Sequence, residues 1–346
     1  MSAHRLPFDS GAEGEYLLED TKSIRAITEP FQQPSTARAC WQLANTLVPY
    51  FALWYLIYRV SQIAVWLTLP LSAVAAAFLI RIFIIFHDCG HGSYFRSRRL
   101  NTCVGFLTGI LTFCPFAHWC WEHALHHGSA GDLDRRGTGD IWTMTLREYK
   151  EASWSRRLHY RVVRNPFVLF GLAPFLVFAL KHRMPSRRAN AKQRRSVWWM
   201  NVALLIVGTL ASSAMGLATY LLAQFFALTL AGAGGLWLFY VQHQFEGVYW
   251  ERGEKWCYTA AALRGSSYCK LPRVLQWFSG NIGFHHIHHL NPRIANYNLQ
   301  RCHESSPIFA CVKSITLSSS LRSLRVHLWD EETRSLVKFP RGLRRG

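Results

Sequence analysis

The chain has 346 residues, half of them hydrophobic, and carries 39 Lys and Arg against 20 Asp and Glu for a net charge of +19. So apolar a composition excludes a disordered, solvating polypeptide, and nine cysteines without a CxxC pair exclude a disulfide framework or a cysteine-held structural zinc. No nucleic-acid-binding motif accompanies the positive charge, so no nucleic-acid partner is expected.

Residues 1–39 are polar, mixed in charge and without an apolar core, and read as a cytoplasmic arm, not a leader. From 43 to 86 the chain is interrupted only by Arg59 and Arg81, and from 197 to 241 it has no charged residue. Each stretch is about twice the ~20 residues that cross a bilayer as a helix. The pattern predicts two hairpins of membrane spans, at about 40–58 with 63–86 and about 197–213 with 217–241. Buried helices of a soluble protein are the alternative, which apolar runs of this length disfavour. Pro70 should kink the second span or sit near its start.

The insert between the hairpins, 87–196, contains two apolar stretches at 103–117 and 166–180. At about fifteen residues each they are too short to span, and read as re-entrant or interfacial helices or as core packing. Basic residues crowd the insert and the segment after Glu246, whereas only Arg59 falls in a predicted outer turn. Positive residues stay cytoplasmic, so both termini and the insert are expected on that side. The expected fold is an all-α integral membrane protein: four transmembrane helices in two hairpins, with a cytoplasmic helical cap carrying a metal site. The membrane domain should run over 40–305, with a basic C-terminal tail at 306–346.

Eight histidines carry the chemistry. They fall in three groups: His87-Asp-Cys-Gly-His91, His123-Ala-Leu-His126-His127 and His285-His286-Ile-His288-His289. The spacings HxxxH and HxxHH put imidazoles on one face of a helix, because residues three and four apart are neighbours there. Span two ends at Phe86 with His87 next, and span four ends near Val241 shortly before His243, so both hairpins deliver a histidine to the same membrane surface. Imidazole suits iron, zinc, copper and nickel. Eight or nine are too many for one four-coordinate zinc, and two six-coordinate ions fit the count. Iron is favoured over copper because no Met or Cys is patterned with the histidines.

The motifs HDCGH, EHALHH and GFHHIHH, in this order and on this hydropathy profile, resemble the membrane fatty acid desaturases. Residues 131–142 and 290–300 resemble the segments that follow the second and third boxes in bacterial acyl-lipid desaturases, and the likeness covers about 40–305. The resemblance implies a non-haem diiron centre, two Fe ions, with ligands His87, His91, His123, His126, His127, His285, His288 and His289. It also implies a ninth ligand after the last span, which His243 matches best. Some relatives have an asparagine four residues before it, holding a water on one iron; here that residue is Phe239. The implied reaction is oxygen-dependent removal of two hydrogens from neighbouring methylenes of a fatty acyl chain, lipid-linked and of delta-12 or omega type among the options. Substrate would enter a long apolar tunnel, with Trp119, Trp121, Trp142 and Trp237 as candidate lining residues or as packing. Electrons would come from a separate ferredoxin or cytochrome b5, since neither a fused haem-binding His-Pro-Gly-Gly segment nor a GxGxxG motif is present.

Other residues near the boxes have plainer readings. His286 points roughly 100° around a helix from His285 and is not expected to bind metal. His118 and His303 read as packing residues. Liganding imidazoles donate their second N–H to a carboxylate or carbonyl, which makes Asp88 and Asp140 favoured supports, ahead of Glu122, Asp132, Asp134 and Glu246; salt bridges to Arg135 or Arg136 are the alternative. The basic run 187–195 reads as a membrane-surface face, or as a docking site for an acidic donor. Two rival functions remain. A diiron hydroxylase or carotenoid ketolase or hydroxylase shares the boxes, and a non-catalytic membrane metal-binding protein would be expected to place ionisable groups inside its spans.

Overall fold

Both charge-poor stretches fold as pairs of long helices. The computed structural model describes residues 21–137 and 139–340, so most of the expected arm at 1–39 lies outside the described residues. Helix α1 covers Thr36–Ser61 and α2 covers Thr68–His91. The insert opens with α3, Arg98–Thr112, and α4, Phe116–Ser129. The second hairpin is α5, Ala191–Met215, and α6, Leu217–His243, hinged at Gly216. Pro70 falls in the first turn of α2, where a missing N–H costs nothing.

Three of these helices, α2 with its short lead-in, α5 and α6, are long and apolar enough to cross a membrane. Helix α1 has the length, 26 residues, but Gln42, Asn45, Thr46, Tyr50, Tyr55 and Tyr58 lower its apolarity. The two shorter apolar stretches both lie at bends. Helices α3 and α4 meet at 94°, and Trp154–Val163 meets Phe167–Arg183 at 59°. The second of these winds partly with i→i+5 turns.

Helix α2 is the centre of the bundle and packs against α1, α3 and α6. Helix α5 is nearly bare: Trp198, Trp199, Leu205, Ile206 and Leu210 are exposed. An apolar face this open suits lipid better than water. Inside the bundle Arg81 is buried without an acidic partner among the described residues. Its guanidinium donates to Thr46 and to the Trp277 carbonyl and lies 3.9 Å from the Trp277 ring centroid, so it ties α1 and the approach to the third histidine group to α2.

Short helices follow α6, among them α7, His285–Leu290. The expectation of an all-α chain needs one correction, because two small sheets tie the tail to the insert and to the segment after α6. Met144–Thr145 pairs parallel with Leu328–Asp330, which pairs antiparallel with Ser335–Val337, while Tyr268–Lys270 pairs parallel with Ser314–Thr316. The tail closes over the cap with Leu328 and Trp329 buried. These strands are two or three residues long, too short to leave a period-2 signal in the sequence.

Candidate metal centre

All nine expected histidines are brought together, in two groups. His87, His91, His123, His127 and His288 form one, and His126, His243, His285 and His289 the other; within each, the candidate ligand atoms lie within 4.8 Å of one another. Each HxxHH box serves both groups. On α4 the i,i+4 pair His123 and His127 joins the first group while His126 turns to the second; on α7 the pair His285 and His289 joins the second while His288 turns to the first. That division follows from 100° per residue on a helix.

Helix ends fix the side chains. Helix α2 stops one residue after His91, at Gly92, whose φ of 69° is the left-handed conformation that caps a helix with least strain in glycine. His87 Nδ1 pairs with Asp88 Oδ1 at 2.9 Å. The other Asp88 oxygen accepts from the Asn296 backbone N–H at 2.6 Å and its side-chain amide at 2.9 Å, and Asn296 exchanges hydrogen bonds with Gln42 of α1. In the second group His126 Nδ1 pairs with Asp140 Oδ1 at 2.5 Å, and His243 Nδ1 donates to the Gly265 carbonyl at 3.1 Å. Gly139 allows the first of these: with φ at +75°, a Cβ there would lie 3.0 Å from the His126 Cβ and 3.1 Å from the Glu122 carbonyl oxygen. Tyr258 donates to the His289 carbonyl.

The donor set suits a transition-metal cation. His288 Nε2 lies 3.1 Å from His87 Nε2 and 2.9 Å from His127 Nε2, which lies 3.1 Å from His123 Nε2; His243 Nε2 and His285 Nε2 are 2.9 Å apart. Two imidazole nitrogens bound at right angles to one ion at ~2.1 Å are ~3 Å apart. The ring nitrogens His91 Nε2, His126 Nε2 and His289 Nε2 are buried without a hydrogen-bond partner among the described residues, a state that needs an external partner. Burial, reinforced by the neighbouring imidazoles, holds His285, His288 and His289 well below the ordinary imidazole range. The neutral ring is the form that binds metal.

An apolar cavity of about 260 Å³ adjoins both groups. It reaches His87, His123 and His285 and runs between α2, α6 and the bent segment around Val177 and Phe178. Trp119 lines it and stacks on His123, with centroids 4.4 Å apart. Trp121, Trp142 and Trp237 do not line it; Trp142, for example, packs edge-on against Tyr160. Phe239 lines it too, packed against His126 and His243 at 5.0 and 5.2 Å between centroids.

Elsewhere the plainer readings hold. His286 turns away and pairs with His303 at 3.0 Å, and His118 accepts from the Ser186 backbone N–H. Glu122 pairs with Lys181 at 3.5 Å, Asp132 with Arg135 and Asp134 with Arg252, while Glu246 is exposed. Sequence reasoning missed Asn296, Gln42 and Tyr258. Gln42 had a signal, an amide in an otherwise apolar run; Asn296 lay in the segment that resembles other desaturases but had no role assigned.

Comparison with known proteins agrees with this geometry. The family model for fatty acid desaturases matches residues 64–310. A protein of Bacillus subtilis named fatty acid desaturase is 45% identical over 92% of this chain and 90% of its own length. An sn-1 oleoyl-lipid 12-desaturase of a Picosynechococcus species is 27% identical over 72% of each chain. An sn-1 acyl-lipid omega-3 desaturase (ferredoxin) of a Synechocystis species is 23% identical over 87% of this chain and 83% of its own. With three histidine boxes folded into two nitrogen clusters beside an apolar cavity, this chain belongs to the fatty acid desaturase family and is an oxidoreductase.

Proposed function

We propose that the protein is an integral membrane acyl-lipid desaturase, held by four spans with both termini and the metal centre on the cytoplasmic side. His87, His91, His123, His127 and His288 would hold one iron, and His126, His243, His285 and His289 the other. When bound, the iron pair supplies the dioxygen activation that inert C–H bonds require. The single observation that carries this reading is the contact between nitrogen clusters without a carboxylate and a cavity lined mainly by apolar side chains.

The chain's own residues provide position and exclusion. Asp88, Asp140 and the Gly265 carbonyl fix ring orientation through the second nitrogen of each ligand. Trp119 and Phe239 cover the rings on the cavity side and keep bulk water away. The cavity wall holds one stretch of acyl chain near His87, His123 and His285, and the hydrogens removed are those of the methylenes held there. Electrons come from an external carrier of ferredoxin or cytochrome b5 type; the Synechocystis relative is named as a ferredoxin-linked desaturase.

Expression in a host without polyunsaturated lipids, supplied with a compatible electron donor, tests the reading. New double bonds in extracted lipids and about two irons per chain are expected. Oxygenated acyl chains or carotenoids would replace desaturation by hydroxylation or ketolation, and an unchanged profile with iron bound would leave a metal-binding protein.

A further inference from the structure

The cavity has two unlike ends. Its polar lining groups Glu122 and Lys181 stand beside His123, and His182 follows Lys181 in sequence. At the far end the lining residues Leu79, Leu228 and Ala231 are buried in a cluster with Ala75, Ala76, Ile82 and Tyr50, and Tyr50, the polar-tipped member, is not among the residues that line the cavity. An ester or phosphate pushed there would lose water without gaining a hydrogen bond. An acyl chain linked to a polar carrier therefore enters this end methyl group first. From His87 to Leu79 is eight residues of α2, or about 12 Å at ~1.5 Å per residue. With C–C bonds of ~1.5 Å in a zigzag, that depth takes roughly nine carbons beyond the reacting pair.

On the α6 side the wall includes Gly235, one turn before Phe239. A Cβ built on it meets nothing within 4 Å, in contrast to Gly232, where it would lie 2.7 Å from the Pro174 Cβ, and Gly234, where it would lie 2.9 Å from Ile80. At Gly232 the Pro174 ring presses on the position, and at Gly234 the tip of Ile80 would have to move aside. No neighbour makes that demand at Gly235; its missing side chain leaves open cavity.

We propose that Gly235 is a specificity-determining residue: by leaving the α6 wall bare it sets how many methyl-side carbons fit beyond the metal centre, and Leu228 is the floor. This rests on the reading of the cavity as the acyl site. A leucine at 235 fills the space that the missing side chain leaves open and shortens the acyl chain the cavity can take beyond the metal centre.

The test is the lipid profile of cells expressing wild type, Gly235→Ala, Gly235→Leu and Leu228→Ala, with double bonds located by mass spectrometry and iron measured on the purified chains. Gly235→Leu should cut products with long methyl-side segments at least about tenfold and move remaining double bonds toward the methyl end, with Gly235→Ala intermediate. Leu228→Ala should shift use toward longer methyl-side segments. Iron content should match wild type, because Gly235 is two turns from His243. If Gly235→Leu makes no product, the shift in Leu228→Ala decides. Double-bond positions and chain lengths unchanged in both overturn the assignment while the desaturase reading stands; wild-type oxygenated products instead of double bonds overturn that reading, and the Gly235 assignment is then scored on the position of the new oxygen.

Discussion

The two histidine groups share the second and third boxes, but the first box serves only the five-histidine group and His243 only the other, and the two are supported differently. In the five-histidine group close nitrogen contacts run from His87 through His288 and His127 to His123, and its carboxylate support, Asp88, is held in turn by Asn296 and Gln42. The four-histidine group has one such contact, His243 with His285, and its carboxylate, Asp140, comes from the loop at Gly139. On six-coordinate ions, five protein donors leave one position and four leave two. Each group takes histidines from one long apolar helix, α2 for the first and α6 for the second; if each held a six-coordinate ion, the second would leave more room for a small molecule, with Phe239 packed beside it.

The sharpest break of that comparison is His126→Ala. It reduces the smaller group to three donors and strands the Asp140 carboxylate, buried beside a new gap. Desaturation should fall below detection, with loss of iron from the purified chain; full turnover with wild-type iron content would remove His126 from the ligand set. A milder pair of variants compares the supports. Asp88→Asn must turn an amide N–H toward at least one of three donors, His87 and the two N–H groups of Asn296, so a repulsive contact is unavoidable. Asp140→Asn can aim its carbonyl at His126 alone. Supports of this kind are worth ~10–100-fold in metal affinity. Asp88→Asn should sit at the upper end and Asp140→Asn at the lower when iron retention is followed against a competing chelator. The reverse order would mean that Asn296 and Gln42 add nothing to the first group.

That the nine histidines would converge was legible because metal binding demands a residue type and a spacing, and both are local. The four long helices were legible for the same kind of reason, since a run of apolar residues is enough to mark them. The supports were legible only where a carboxylate lies next to its ligand in sequence, as Asp88 does beside His87, or follows it in the next loop, as Asp140 does. Asn296 reaches Asp88 from across the fold, and an asparagine near a box carries no mark of that distant partner. The small sheets were invisible because their register comes from where the tail lands. The cavity was expected in outline, but three of its four candidate tryptophans pack elsewhere; an aromatic ring near a box satisfies packing and lining equally well until the backbone is placed.

The smallest expected effect belongs to His286, which lies inside the third box yet belongs to neither group. His285, His288 and His289 on the same helix face the two clusters, while the His286 Nε2 meets His303 Nδ1 at 3.0 Å and its ring packs near Tyr268 and Phe309. His286→Ala leaves all nine ligand candidates in place, removes a hydrogen bond from half-buried His303 and opens a gap in a fully buried position. A lost partner of this kind costs about 1–3 kcal/mol, and the gap adds to it. A lowered melting temperature with wild-type iron content and most of the activity is the expected outcome. If iron were lost in proportion to activity at a temperature where the chain is folded, His286 would have to reach the metal, and the 100° step that separates it from His285 on α7 would not describe this helix.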